Sequence, residues 1–481
     1  MKQGTLTYLA SLPALLACGV MNMPVDAAQT FNVLHNFCNE ANCADGSFPS
    51  AGLIQSTGGN FFGTTQGLSN SEQPGTVFKM SFSGSLTTVY TFCSQPGCAD
   101  GVDPRWRLLQ ASNGDFYGAT AATGGDRGIA TLFGLTSSGA LTTYSFCEQG
   151  GCNNGLGPNG GLIQGLDGDL FGVTPRGGAY GFGTLFKLTP DLAFSTVHSF
   201  GGAGNSGRAP EGTLFQASNG NLYGTTVSGG ETGSGAGTVF QMTSTAVTTL
   251  YGFCTQPECS DGSLPDMGVI QGSDGNLYGT TSGGGASSAG TIFRLTLGGV
   301  LSTLYSFPSG SYPGALIQAT DGNFYGITGN VSDGTAAGSV FRMTPAGAVT
   351  TLHTFCSQAN CADGSNPQGV LLQATNGRLY GVTAHGGKSG HGLVFSLNLG
   401  LEPFVALKRA AGDVGATVTL IGTDLAGTTG VTFNGTATTS FTVNSTGTAI
   451  TATVPTGATS GPVQVITPDG TLKSNVSFTV N

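Results

Sequence analysis

The sequence predicts an all-β protein: a seven-bladed β-propeller of four-stranded blades, followed by an immunoglobulin-like β-sandwich. Three observations carry this expectation. Glycine supplies 83 of 481 residues and charged residues only 8%, against roughly 25% charged in ordinary soluble chains. A long Lys/Glu-rich helical protein is excluded, while 38% hydrophobic and 9% aromatic residues exclude a disordered one. An aromatic–glycine pair recurs seven times, at Phe62-Gly63, Tyr117-Gly118, Phe171-Gly172, Tyr223-Gly224, Tyr278-Gly279, Tyr325-Gly326 and Tyr380-Gly381, with glycines 47 to 55 residues apart. A unit near fifty residues is the size of a propeller blade. After Leu401 the pattern gives way to short alternating runs.

The chain opens with Lys2, an apolar run from Leu6 to Val20, and small residues at Ala27 and Ala28. That order is a secretory signal, so residues 1–28 are assigned to a leader and the mature chain starts near Gln29. A competing reading takes Leu15-Leu16-Ala17-Cys18 as a bacterial lipobox with Cys18 as the lipidated residue. No later run reaches the ~18 apolar residues of a membrane-spanning helix.

Residues 29–401 form the repeat array, and the fifth unit shows its internal logic. Val269-Ile270-Gln271 is a short strand, and Asp274-Gly275-Asn276 supplies the positive φ of a tight hairpin turn. Leu277 to Thr281 is a second strand, and a glycine-rich loop runs to Gly290. Thr291 to Thr296 and Leu301 to Phe307 are the third and fourth strands. The seventh unit stops after its third strand, near Asn398, while an orphan fourth strand, Phe31 to Phe37, stands at the start. Pairing the two closes the array and removes two exposed sheet edges. Residues 402–481 carry six or seven short strands, including Thr417 to Ile421, Ile450 to Val454 and Val476 to Val480, the pattern of a sandwich.

Beyond Cys18, the cysteines form five pairs of one spacing: Cys38/Cys43, Cys93/Cys98, Cys147/Cys152, Cys254/Cys259 and Cys356/Cys361. In an exported chain these read as five short-loop disulfides. Zinc would want closer spacing and a second pair. The junctions around Gly201 to Arg208 and Pro308 to Tyr312 carry none.

The units resemble the GloVer (Gloeo/Verruco) tandem repeats, through Asp274-Gly275-Asn276-Leu277-Tyr278-Gly279-Thr280-Thr281 and Gly290-Thr291-Ile292-Phe293. That resemblance covers about residues 30 to 400 and implies an exported bacterial propeller. The tail resembles an IPT/TIG domain, through Gly415 to Thr423, Val454-Pro455 and Gly461 to Val465. Such domains are accessory modules of surface proteins. Neither resemblance implies an activity, a cofactor or a metal, and a fold is not a function.

A net charge of −10 with 15 Lys+Arg disfavours nucleic acid as a partner. No nucleophile, zinc or phosphate-loop motif is present. His35, His198 and His353 share a repeat position with Tyr90, Tyr144, Tyr251 and Tyr305 and read as structural. His385 and His391 share a glycine-rich loop and have no carboxylate beside them. Gln55, Gln110, Gln164, Gln216, Gln271, Gln318 and Gln373 recur at one site and read as amides satisfying backbone between blades. Asp45, Asp100, Asp261 and Asp363 follow the cysteine pairs and read as turn-shaping groups. An enzyme would use some of them at the channel mouth. The second unit departs from the rest with Arg105-Trp106-Arg107, the single Trp of the chain between two arginines. Trp and Arg are enriched at binding hot spots, so these three are the candidate ligand residues; the competing reading makes Trp106 an inter-blade plug. The cysteine and glycine-rich loops emerge on one face and vary most, which marks that face for recognition. The expectation is an exported, extracellular or cell-surface, non-enzymatic binding, adhesion or structural protein. Its partner would be an extracellular glycan or surface protein, with no cofactor. A secreted carbohydrate-active lyase or hydrolase is the alternative.

Overall fold

Alternating apolar residues broken by Asp/Asn-Gly turns give short antiparallel strands, and strands dominate the computed structural model. It describes residues 29–67, 74–122, 130–147, 152–202, 207–217, 219–230, 235–244, 246–329 and 337–481. The leader, with Cys18, lies outside the described residues, as do 203–206 of one cysteine-free junction and 231–234 of one glycine-rich loop. Among the described residues there is no α-helix, only four short 3-10 turns inside cysteine loops.

Between Thr30 and Asn398 the strands form seven sheets, six of four strands and one of five. Numbered by their first strands, they begin at Ile54, Val102, Ile163, Gly207, Val269, Ile317 and Ser365. The fifth consists of Val269–Gln271, Leu277–Thr281, Thr291–Leu295 and Leu301–Ser306, each paired with the next. In the seventh, the outer position is taken by Thr30–Asn36, which runs antiparallel to Leu393–Asn398 from Thr30↔Asn398 to Asn36↔Leu393.

The recurring aromatic–glycine anchor has a packing cause. A Cβ on Gly63, Gly118, Gly172, Gly224 or Gly381 would stand 2.5 Å from a ring carbon of the Phe on the next strand, such as Phe78 or Phe395. The preceding aromatic is buried, and Tyr117, Tyr223, Tyr278, Tyr325 and Tyr380 tie their hydroxyls to the Asn or Asp of the hairpin turn.

Seven apolar clusters join consecutive sheets, and the cycle closes. Phe37, Leu53, Phe61 and Phe78 pack with Tyr380, Val382 and Val394, uniting the seventh sheet with the first. First strands of neighbouring sheets converge on the axis: Gly160 meets Gly212, and Gly212 meets Gly268. Fourth strands face solvent. The recurring glutamines clamp the ring. Gln110 accepts from Thr57 N, Gln164 from Ser112 N, Gln318 from Ser273 N, Gln373 from Thr320 N and Gln55 from Thr375 N. Each bond ties a sheet to the hairpin of the one before it.

From Ala406 onward two further sheets enclose one core of Val418, Leu420, Ile450, Val463, Val465 and Phe478. This C-terminal unit sits on the hairpin side of the ring. Asn444 Nδ2 and Thr448 Oγ1 both donate to Thr57 O, at 3.2 and 2.8 Å, and Phe404 N donates to Thr375 O. The opposite side is left to the cysteine and glycine-rich loops.

Candidate functional site

The loops of that opposite side hold one another. Gly178, Gly285 and Gly387 donate backbone N–H groups to Cys152 O, Cys259 O and Cys361 O. All five cysteine pairs are disulfides. Cys98 is the most enclosed of the second cysteines. It is buried, at 8% exposure, inside the 3-10 turn Pro96–Cys98. The second cysteines of the other four pairs, Cys43, Cys152, Cys259 and Cys361, are half-buried. The physical reason is that a bridged sulfur behaves as a small hydrophobe and loses nothing on leaving water. The backbone polar group of Cys98 stays satisfied, since Gly101 N donates to its carbonyl. The Cys98 end of the Cys93–Cys98 bridge is therefore packed into the scaffold, while Cys93 is half-buried.

The Asp that follows four of the pairs is spent on its own loop. Asp100 accepts from Ser94 N, Gln95 N and Tyr90 Oη, and Asp261 accepts from Thr255 N, Gln256 N and Tyr251 Oη. His35 and His353 take the tyrosine's place, 3.1 and 3.2 Å from Asp45 and Asp363. These carboxylates are fully buried and do not face the channel. In the third loop, Asn154 donates to Tyr144 Oη instead.

Each sheet then enters its first strand through a proline: Pro49, Pro104, Pro158, Pro210, Pro265, Pro313 and Pro367. The residue before it has positive φ in all seven sheets, and six are not glycine: Phe48, Asp103, Ala209, Leu264, Tyr312 and Asn366. That conformation costs of order 1–3 kcal/mol at each. It is offset by hydrogen bonds to the preceding sheet: Phe48 N to His391 O, Asp103 N to Pro74 O, Ala209 N to Phe182 O, and Leu264 N to Ala236 O. The strain therefore stitches the ring together.

The consequence for chemistry lies one residue later. The position after the proline holds Ser50, Arg105, Asn159, Glu211, Asp266 and Gln368 in six sheets and Gly314 in the sixth. Six polar side chains are thus carried to one level of the mouth. Neighbours touch: Ser50 Oγ donates to Arg105 O, and Glu211 is hydrogen-bonded to Asn159.

The sector from third to fifth sheet is the most perturbed. Burial, helped by the charge of Asp266, pushes Glu211 up to about 7 against the Asn159 hydrogen bond and the Arg176 charge. Burial raises Asp266 to about 6, and its Oδ1 is buried without a partner. In the glycine-rich loop of the third sheet, Tyr180 and Phe182 are 56% and 40% exposed; Tyr180 lies against Gly202, Phe182 against Gly201, and the Arg208 guanidinium lies 4.4 Å over the Phe182 ring. Opposite, at the seam of the seventh and first sheets, a cleft of about 340 Å³ is lined by Phe48, Ser50, Gln66, Asn366, Gln368 and His385. Phe48 packs against both His385 and His391, and burial lowers the His385 pKa.

Arg105, Trp106 and Arg107 are separated. Arg105 belongs to the mouth ring and forms an ion pair with buried Asp103 at 2.5 Å. The Trp106 indole is partly buried on the cluster between second and third sheets, and its Nε1 is buried with no partner. Arg107 points into the channel, with Nε on Leu53 O at 3.3 Å. The mouth ring is not evident from local spacing, because its members differ chemically and lie some fifty residues apart. The invariant proline was the available signal. Among the described residues no three His, Cys, Asp or Glu side chains gather into a metal-binding group.

The model of the Gloeobacter/Verrucomicrobia repeat family matches residues 107–330 and 237–450. No curated protein matches the sequence. Among solved structures, a streptogramin B lyase aligns at TM-score 0.51 and 18% identity, covering 77% of this chain and 98% of its own. A virginiamycin B lyase from Staphylococcus aureus aligns at 0.51 and 14%, covering 77% and 99%. The extracellular domain of a putative hybrid two-component system from B. thetaiotaomicron aligns at 0.50 and 10%, covering 94% of this chain and 57% of that one. Likeness at these identities shows the fold, a β-propeller, and no activity.

Proposed function

The chain belongs to the Gloeobacter/Verrucomicrobia repeat family, and from that premise we propose an exported binding protein that takes a neutral, hydroxyl-rich ligand, a glycan, at the mouth of its propeller. In this reading the propeller has seven blades, the C-terminal unit is an immunoglobulin-like IPT/TIG module, and the protein works outside the cell or on its surface. Five disulfides support an oxidising compartment.

The observation that carries the proposal is the ring of six polar side chains behind the prolines, with Tyr180 and Phe182 exposed in a loop on the same side of the ring. Amides and carboxyls bond paired hydroxyls, and an exposed aromatic ring covers the apolar face of a sugar. The docked C-terminal unit leaves this side of the ring open. The test is a glycan array on oxidised mature protein, followed by calorimetry of the best ligand with Tyr180→Ala, Asn159→Ala and Asp266→Asn. Each substitution should weaken binding at least tenfold. An array with no signal, or affinity untouched by all three, overturns the reading.

One observation favours a second reading. Two carboxyls with raised pKa, Glu211 and Asp266, stand together with Arg176 close by, as acid/base catalysis near neutral pH requires. If the bound glycan is cleaved, Glu211→Gln should stop product formation while binding persists.

A further inference from the structure

Below the mouth, the channel holds two cations that no carboxylate neutralises. Arg107 occupies the position just before the first-strand Leu or Val. The other sheets place Gly52, Gly161, Thr213, Gly268, Ala315 and Val370 there. It is the one long side chain at that level, and its neighbours leave it room. Its Nε donates to Leu53 O, and among the described residues its two terminal nitrogens have no acceptor. Lys408, from the C-terminal unit, reaches the same channel from the hairpin side and donates to Gln110 O at 2.9 Å. Leu53 directly precedes the strand Ile54–Gln55 of the first sheet and Gln110 ends the strand Leu109–Gln110 of the second, so the two head groups are held by adjacent sheets. Arg107 is partly accessible and Lys408 exposed, so both head groups are open to solvent. The surrounding protein and the Arg107 charge push Lys408 down to about 8, and Arg107 is lowered as well.

Two like charges in one channel repel each other, and neither forms an ion pair with an Asp or Glu among the described residues. We propose that Arg107 and Lys408 form a binding site for a small oxyanion, a carboxylate, phosphate or sulfate group, held at the floor of the channel between the ring and the C-terminal unit. A planar guanidinium offers two parallel donors and the ammonium adds a third, a set that fits an oxyanion. The group arrives either as a free inorganic ion or as the acidic substituent of a saccharide entering from the mouth. The site does not depend on the mouth ring, whose side chains lie nearer the opposite opening.

The test uses the full oxidised protein in chloride buffer at constant ionic strength. Sodium phosphate, sodium sulfate, an oligogalacturonate and its methyl ester are each titrated by calorimetry, with thermal melts in parallel. Binding of one equivalent is expected for at least one anion. Arg107→Met and Lys408→Met should each weaken it tenfold or more and abolish the anion-dependent rise in Tm. Binding of phosphate or sulfate alone assigns the site to a free ion; binding of oligogalacturonate but not its ester assigns it to an acidic saccharide. Lys408 is exposed, so its variant folds and remains readable even if Arg107→Met does not. No binding at millimolar anion, or binding unchanged in Lys408→Met, overturns the proposal.

Discussion

Phe37→Ala probes whether the N-terminal strand is an equal part of the ring. Phe37 has six repeat equivalents, Phe92, Phe146, Phe200, Phe253, Phe307 and Phe355, and all seven are buried to 3% exposure or less. Each of those six follows its own sheet in sequence, whereas Phe37 joins a sheet whose other strands start at Ser365. Its ring packs edge-on to Phe78 at 5.3 Å, within the cluster that includes Tyr380 and Val394. Its N–H donates to Gly392 O. Removing a fully buried benzyl group costs about 3–5 kcal/mol, a large part of the ~5–15 kcal/mol that holds a domain folded. The burial matches that of Phe253, so Phe37→Ala and Phe253→Ala should cost the same within about 1 kcal/mol. Urea unfolding followed by tyrosine fluorescence gives both values from the midpoint and slope. Deleting residues 29–37 should go further and produce aggregation, because the buried strand Leu393–Asn398 becomes an edge. A Phe37→Ala cost below about 1 kcal/mol beside a full cost for Phe253→Ala would refute the argument that closure carries the same load as the other junctions.

Four further outcomes follow. Tyr180→Ala should weaken ligand binding without moving Tm, because its ring is exposed, whereas Trp106→Ala should cost about 2 kcal/mol through lost packing on the cluster between second and third sheets; a loss of affinity at constant Tm for Trp106→Ala would instead place the indole on the ligand. Glu211 and Asp266 are raised from 4.5 to about 7 and from 3.8 to about 6, so the folded state holds their protons more tightly than the unfolded one. The stability they contribute is full below about pH 4 and is lost as pH rises through 6 and 7, by roughly 3 kcal/mol for each group at about 1.4 kcal/mol per pH unit; urea midpoints of Glu211→Gln that still fall across that window as in the parent would contradict this. Peptide mapping by mass spectrometry without reduction should find Cys38–Cys43, Cys93–Cys98 and their three counterparts each closed within its own loop, and a cross-loop link would break the assignment. Gln55→Ala should cost about 1–3 kcal/mol by leaving Thr375 N without its acceptor, measured by the same unfolding assay.

Much of the architecture is legible in the sequence because its causes are local. The aromatic–glycine anchor reports one Phe lying on one glycine of the neighbouring strand. The Asp-Gly and Asn-Gly turns report positive φ, and five cysteine spacings report five loops. What the spacing does not report is burial: Cys98 lies under its loop while its counterparts stay half-buried. Even the long-range pairing of Thr30–Asn36 with Leu393–Asn398 is written as arithmetic, one strand too many at the start and one too few at the end. The glutamine position could be read as structural for the same reason: of seven identical residues, five accept from the hairpin of the preceding sheet.

The functional side chains obey the opposite logic. Repetition identifies scaffold, so a site appears where repeats differ, and differences at one position look like noise until a ring superimposes them. Ser50, Arg105, Asn159, Glu211, Asp266 and Gln368 share no residue type, and only the proline before each marks them as one level of one mouth. Arg107 and Lys408 are harder still, because they meet only when the C-terminal unit docks on the hairpin side, and Lys408 lies 298 residues from the Gln110 whose carbonyl it reaches. The sequence by itself determined the strands, their order and the closure of the ring, since each depends on neighbours along the chain or on a repeated contact. Tertiary structure alone decided which face stays open, which acids are spent inside loops, and which charges share the channel, because burial and Coulomb energy depend on distances that no spacing along the chain encodes.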